Sequence, residues 1–255
     1  MVTTAKGTVN VVTAEKSESA PSPPFLVLDD QSLQLAEGAE VVLLYQGIAN
    51  HLRGPRKVAL TDLSSGSGSG EAKGALEDLL SKQVVTRRAA ASRGGEGISL
   101  TRPVPGTDVG APSTLRWSCD KCAEVEVSVY DFINDEVVWK KKGTAEVKYD
   151  GPKLVAGSYS VVIEGKDFPF NVPDAATLAK VEDARSAADA QAVDLAKGGF
   201  DNAAALTALP ATIYLLAGMP TDALSTIEAA IDEHPDDKEL KALLEAFEQK
   251  AGLRE

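Results

Sequence analysis

Cationic charge, cysteine, histidine and long apolar runs are what this sequence has least of. Against 38 Asp and Glu it sets only 26 Lys and Arg, so its 255 residues carry a formal net charge of −12. Gripping nucleic acid or anionic lipid requires a basic face, and the acidic balance argues against both as partners. Two cysteines alone build neither a zinc nor an iron–sulfur cage, nor a disulfide framework. The two histidines, His51 and His234, fall in different segments, and no serine sits in a Gly-x-Ser-x-Gly elbow. A nucleophile–base constellation is therefore not visible. Gly94-Gly95-Glu96-Gly97 lacks the Gly-Lys-Ser/Thr ending of a phosphate loop. No catalytic residue, cofactor or metal site is expected. No run of about 18 apolar residues occurs, so no membrane-spanning segment is expected either.

The acidity is unevenly placed. Residues 174–255 hold 16 acidic and 7 basic side chains, which is −9 of the total. The same boundary separates a Val-, Thr-, Gly- and Pro-rich part from one rich in Ala, Leu, Asp and Glu, a change from strand-favouring to helix-favouring residues. Within residues 1–63, the runs at 8–12, 32–35, 41–45, 48–52 and 58–60 read as short strands, with Gln46-Gly47 as a hairpin turn. They predict a compact β-roll or barrel-like module. Residues 64–111 read as a linker: Ser64–Gly70 (SSGSGSG) is flexible by composition, 71–85 a short helix and 87–97 a polar, Gly-rich connector. Residues 112–173 alternate from Leu115 and Trp117 through Val125, Val127 and Val129 to Phe168 and Phe170, as a small β-sandwich does.

Beyond Asp174 the pattern is helical. Asp174 is an N-cap for a helix to about Lys197, stopped by Gly198-Gly199. Helices over 202–217, 221–233 and 236–250 follow, punctuated by Gly218, Pro220 and His234-Pro235. Pro210 is expected to begin or kink the helix over 202–217. This tail, 174–255, is expected to have a core of its own. The predicted architecture is thus multidomain: an all-β N-terminal module, a β-sandwich and a helical tail.

Two features carry candidate chemistry. Cys119-Asp120-Lys121-Cys122 reads first as a disulfide stapling a loop between strands, with reduced cysteines or redox and metal chemistry as alternatives. A redox pair normally opens a helix, which lowers the thiol pKa, and this pair does not. Asp232, Glu233, Asp236, Asp237 and Glu239 cluster around one helix–helix turn and are either a solubilising face or a surface docking a basic patch. Arg87, Arg88 and Arg93 read as a solvated connector, and Asp131, Asp135 and Glu136 as turn residues rather than a calcium site.

Three segments bear family resemblances. Gly7-Thr8-Val9-Asn10-Val11, the step Leu35–Val41 and the Gly54-Pro55-Arg56-Lys57-Val58 strand make residues 4–63 resemble a FecR-type domain. That implies a periplasmic β-module that relays signals or binds a partner. Leu115-Arg116-Trp117, Val137-Val138-Trp139 and Leu154–Tyr159 are similar to fibronectin type III or immunoglobulin-like sandwiches, in which a tyrosine ring packs inward while its hydroxyl ties the corner. Ala211, Tyr214, Gly218, Ala223, Ile227, Ala230 and Pro235 resemble a tetratricopeptide repeat.

Together these imply a non-enzymatic, periplasmic or cell-envelope protein working through protein–protein contacts as a scaffold. A sensor or glycan-binding module and a self-assembling structural protein, including a homo-oligomer, are the alternatives. Residues 1–18 lack a basic start followed by an apolar stretch and so are not a secretory signal. An envelope location would mean a leader already removed; a cytoplasmic location is the other expectation.

Overall fold

The computed structural model describes residues 1–25, 27–28, 30–45, 48–63, 97–120, 123–197 and 202–254. The expected Gln46-Gly47 turn, the Ser64–Gly70 linker, the 71–85 helix, the connector arginines and Cys122 lie outside the described residues.

The chain starts with two antiparallel sheets. Strands β1 (Val2–Lys6), β5 (Glu40–Tyr45) and β6 (Ile48–Arg53) form one, in the order β1-β5-β6. Strands β2 (Val9–Val12), β3 (Ser17–Ser19), β4 (Ser32–Leu35) and β7 (Arg56–Ala59) form the other, in the order β3-β2-β4-β7. Val2, Val41, Leu43 and Leu52 from the first sheet meet Val9, Leu33, Leu35 and Val58 from the second in one core. Gly54 is where the chain passes closest to itself: a Cβ there would lie 1.8 Å from the Ala36 carbonyl oxygen.

A second pair of sheets follows. β8 (Ile98–Arg102), β9 (Thr114–Cys119) and β12 (Glu146–Lys148) order as β12-β9-β8. β10 (Val125–Asp131), β11 (Glu136–Gly143), β13 (Gly157–Ile163) and β14 (Lys166–Val172) order as β11-β10-β13-β14. Leu100, Leu115, Trp117 and Val147 pack on Val127, Val129, Tyr159, Val161, Ile163 and Phe170 between them. The Tyr159 hydroxyl donates to the Val155 carbonyl at 3.0 Å, tying the corner that leads into β13. Strand β8 falls in what composition marked as linker: Ile98–Arg102 pairs with β9 and completes the smaller sheet.

Four α-helices close the described chain: α1 (Ala175–Lys197), α2 (Ala203–Leu216), α3 (Pro220–Glu233) and α4 (Lys238–Lys250). Their starts follow the sequence signals. Asp174 accepts from the Thr177 N–H at 2.7 Å, Asn202 from Ala205 at 2.8 Å and Asp237 from Glu239 and Leu240 at 2.8 and 3.1 Å. Helix α2 starts at Ala203 and continues past Pro210, so the proline does not begin it. Alanines 204, 208, 211 and 223 let α2, α3 and α4 approach around Leu224, Ile227, Leu240 and Phe247.

The helices do not keep a core to themselves. Val42 and Leu44, the residues of β5 that alternate with Val41 and Leu43, are each 1% exposed because they pack on Val181, Ala184, Ala188, Ala205, Leu209 and Ile213. The Ala49 N–H donates to the Gln191 side chain across the same boundary. The expectation of a self-contained tail is corrected: a strand buried on both faces needs cover on both, and α1 and α2 supply the second.

Candidate functional site

A groove lies between β1 and α4. Strand β1 is the outer strand of its sheet. Val2 exchanges two backbone hydrogen bonds with Phe25, at 2.8 and 3.0 Å. Past that bridge no strand among the described residues pairs with the outer edge of β1. The edge instead lines a groove of about 570 Å³. Small side chains, Ala204, Ala205, Ala242 and Ala246, form much of the facing wall. The rim is polar and largely self-neutralised: Lys6 pairs with Glu239 at 3.2 Å, and Arg254 with Glu245 at 3.1 Å.

A second feature joins the later pair of sheets to the helices. Residues 102–110 run from β8 across α3. The Val104 N–H donates to the Thr221 hydroxyl at 2.8 Å, Asp108 N–H to the Gly218 carbonyl at 3.1 Å, and Gly110 N–H to the Asp222 carboxylate at 3.0 Å. Beside these runs a chain of alternating charge. Glu146 holds Arg116 at 2.7 Å, Arg116 reaches Glu228 at 2.9 Å, and Glu228 holds Arg102 at 3.0 Å. Arg102 lies 3.7 Å from Glu248, which Arg254 holds at 2.6 Å.

Burial sets the electrostatics here. The Arg102 side chain is 4% exposed. Desolvation lowers its pKa against the pull of Glu228 and Glu248, and its Nε has no partner among the described residues. Arg116, more exposed, is held above its ordinary value by Glu146 and Glu228 although partial burial pulls the other way. Burial pushes the Asp222 carboxyl up to about 6, opposed by the hydrogen bond from Gly110. A second cleft, of about 790 Å³, opens along this junction between β9 and α3.

The residues singled out by sequence are distributed as follows. Cys119 takes part in a disulfide. Asp232 and Glu233 end α3, Asp236 is exposed in the turn, Asp237 caps α4, and Glu239 is engaged by Lys6 and Asn202. The acidic turn therefore has internal duties at two of its five positions. Asp131 organises its own hairpin, accepting from Ile133 N–H at 2.7 Å and Asn134 N–H at 3.2 Å, while Asp135 accepts from the Tyr130 hydroxyl. No group of three or more potential metal ligands occurs among the described residues. Lys141 pairs with Asp150 at 2.7 Å on the outer strand β11. His51 lies 3.8 Å from Glu40, and His234 ends α3. Trp117 is buried, whereas Trp139 sits half-buried against Tyr149 with its Nε1 donating to Asp150.

Arg102, Asp222 and Glu228 were not singled out by sequence. One signal for them existed: an arginine closing the alternating run Ile98–Arg102 lies where a core-facing residue is due. No family model, curated protein or solved structure matches this chain. No helix among the described residues is long and apolar enough to cross a membrane.

Proposed function

We propose that this chain is a non-catalytic interaction scaffold of the cell envelope, and that the groove between β1 and α4 receives an extended segment of a partner protein. The observation that carries this is the outer edge of β1, which offers main-chain donors and acceptors to the groove and has no strand on that side past Val2. Addition of a strand to such an edge draws affinity from main-chain hydrogen bonds and specificity from alternate side chains. The alanines opposite leave room for the inward-facing side chains of the added segment.

Other features support the wider reading. Three strands packed on four, with a tyrosine hydroxyl tying the corner before β13, favour a fibronectin III or immunoglobulin-like sandwich. Alanine-lined contacts among α2, α3 and α4 favour a tetratricopeptide-like tail. The two-sheet N-terminal module favours the FecR-type resemblance, and with it a periplasmic address. The disulfide at Cys119 fits an oxidising compartment.

Because β5 shares its core with α1 and α2, deleting the tail is a poor test of binding. A photo-crosslinking amino acid at Ala246 is better, exposed to envelope extracts and read by mass spectrometry. A single peptide segment should be captured, and the variant Ala242→Trp, which fills the groove, should abolish capture. Capture that persists in Ala242→Trp would overturn the reading, and capture of a second copy of this chain would replace it with self-assembly.

A further inference from the structure

We infer that the second cleft, between β9 and α3, is a binding site for an uncharged, hydroxyl-rich ligand about the size of one or two sugar rings. Its volume of about 790 Å³ lies within the roughly 300–1,000 Å³ of small-molecule pockets. It shares no lining residue with the β1 groove, so the two sites stand or fall separately.

The walls supply unused hydrogen-bonding capacity from both sides. Ser113 and Thr114, at the start of β9, and Ser225, on α3, line the cleft, and none of their hydroxyls has a protein partner among the described residues. Each is both a donor and an acceptor. Asp232 lines the same cleft, exposed and without an ion-pair partner among the described residues, and its two carboxylate oxygens can accept from adjacent hydroxyls. Arg116 uses Nε on Glu146 and Nη1 on Glu228, which leaves Nη2 as a donor. Ala111, Ala229, Leu244 and Tyr214 give the apolar surface on which the C–H face of a sugar ring can pack.

Charge selects first against anionic ligands. Both arginines are already committed to carboxylates, so a phosphate or sulfate would meet no spare cation and would face Asp232, Glu146 and Glu228. Of the four lining carboxylates, Glu146 and Glu228 are taken by the arginines and Asp222 by the Gly110 N–H, so among the described residues a cation would find Asp232 alone uncommitted. A neutral polyol meets donors and acceptors in mixed order and itself brings no charge that must be desolvated. Hydroxyls from two different elements, held in place by the 102–110 crossing, make the array largely preformed.

The test is titration calorimetry of the intact chain with glucose, N-acetylglucosamine, maltose and cellobiose, and with inorganic phosphate as the ionic arm. At least one saccharide should bind with a Kd of about 1 mM or tighter. Asp232→Asn should weaken it about tenfold, and Ala229→Trp, at an exposed helix position that tolerates a large side chain, should abolish it while the thermal melt stays unchanged. If Ala229→Trp misfolds, Thr114→Val supplies the same reading by removing one hydroxyl at constant size. Absence of binding by every saccharide at about 10 mM, binding indifferent to these variants, or binding of phosphate in their place would each overturn the inference.

Discussion

Asp222 offers the sharpest quantitative test of the junction. Its carboxyl is raised from 3.8 to about 6, chiefly by burial under residues 104–110, with the Gly110 N–H and its own backbone N–H pulling the other way. A carboxyl whose folded value lies above its unfolded value binds its proton more tightly in the native state, so stability falls as pH rises between the two values. About two pH units at 1.36 kcal/mol each give about 3 kcal/mol, lost progressively from near pH 4 to just above pH 6. Asn at 222 keeps an oxygen for Gly110 and cannot ionise. Asp222→Asn should therefore match or exceed the native chain at pH 7.5 and lose that advantage by pH 4. Because other carboxyls, such as Asp174 and Glu182, are lowered by their partners and act in the opposite direction, the quantity to follow is the difference between the two proteins. Thermal melts by circular dichroism across this range should show that difference changing by about 6–12 °C, at about 2–4 °C per kcal/mol for a chain of this size. Parallel curves from pH 4 to 7.5 would refute the reasoning.

Other perturbations test the remaining supports. Arg102→Ala should cost about 3 kcal/mol in chemical denaturation, because it empties a buried site and leaves Glu228 and Glu248 with one arginine each, whereas Arg116→Ala at the more exposed link should cost about 1 kcal/mol. Tyr159→Phe deletes the hydrogen bond to Val155 without disturbing the ring and should cost about 1 kcal/mol. Gly54→Ala drives a methyl into the Ala36 carbonyl and should destabilise the N-terminal sheets by at least about 2 kcal/mol, read as a lowered midpoint in urea. Removing residues 174–255 should leave a chain that binds a hydrophobic dye and loses cooperative melting of its first module, since Val42 and Leu44 are then uncovered.

Much of the secondary structure was legible because its punctuation is local. Gly218, Pro220 and His234-Pro235 delimit the helices by what they do to their own φ angles and hydrogen bonds, and Asp174, Asn202 and Asp237 cap from one residue away. The alternation around Trp117, Val127 and Tyr159 gave the later sheets for the same reason. Strands β1, β3 and β8 were harder. Val2–Lys6 and Ser17–Ser19 have no apolar alternation, and their strand character comes from the ladders they join. The shared core was visible only indirectly. The unbroken run Val41–Leu44 marks a strand covered on both faces, but nothing in it names the covering element, which lies far along the chain. The acidic turn illustrates the converse: charge density is plain in sequence, but that Asp237 is a cap and Glu239 an ion-pair partner depends on which atoms the fold brings near them.

The core joining β5 to α1 and α2 dictates an order of events when the chain is made. Leu44 and Ile213 belong to one cluster yet stand 169 positions apart, with all of the later sheets between them. At about 5–20 residues per second, a ribosome delivers Ile213 roughly ten to thirty seconds after Leu44. During that interval the second face of β5 has no cover, while residues 97–172 already possess every strand they need. The middle of the protein is thus positioned to fold first and the ends to close afterwards, around a finished insert. The outward row of β5 is meanwhile the segment most in need of a chaperone. Replacing Val42 with Thr would lower that exposure, and its cost would fall on the last step, when α1 and α2 dock.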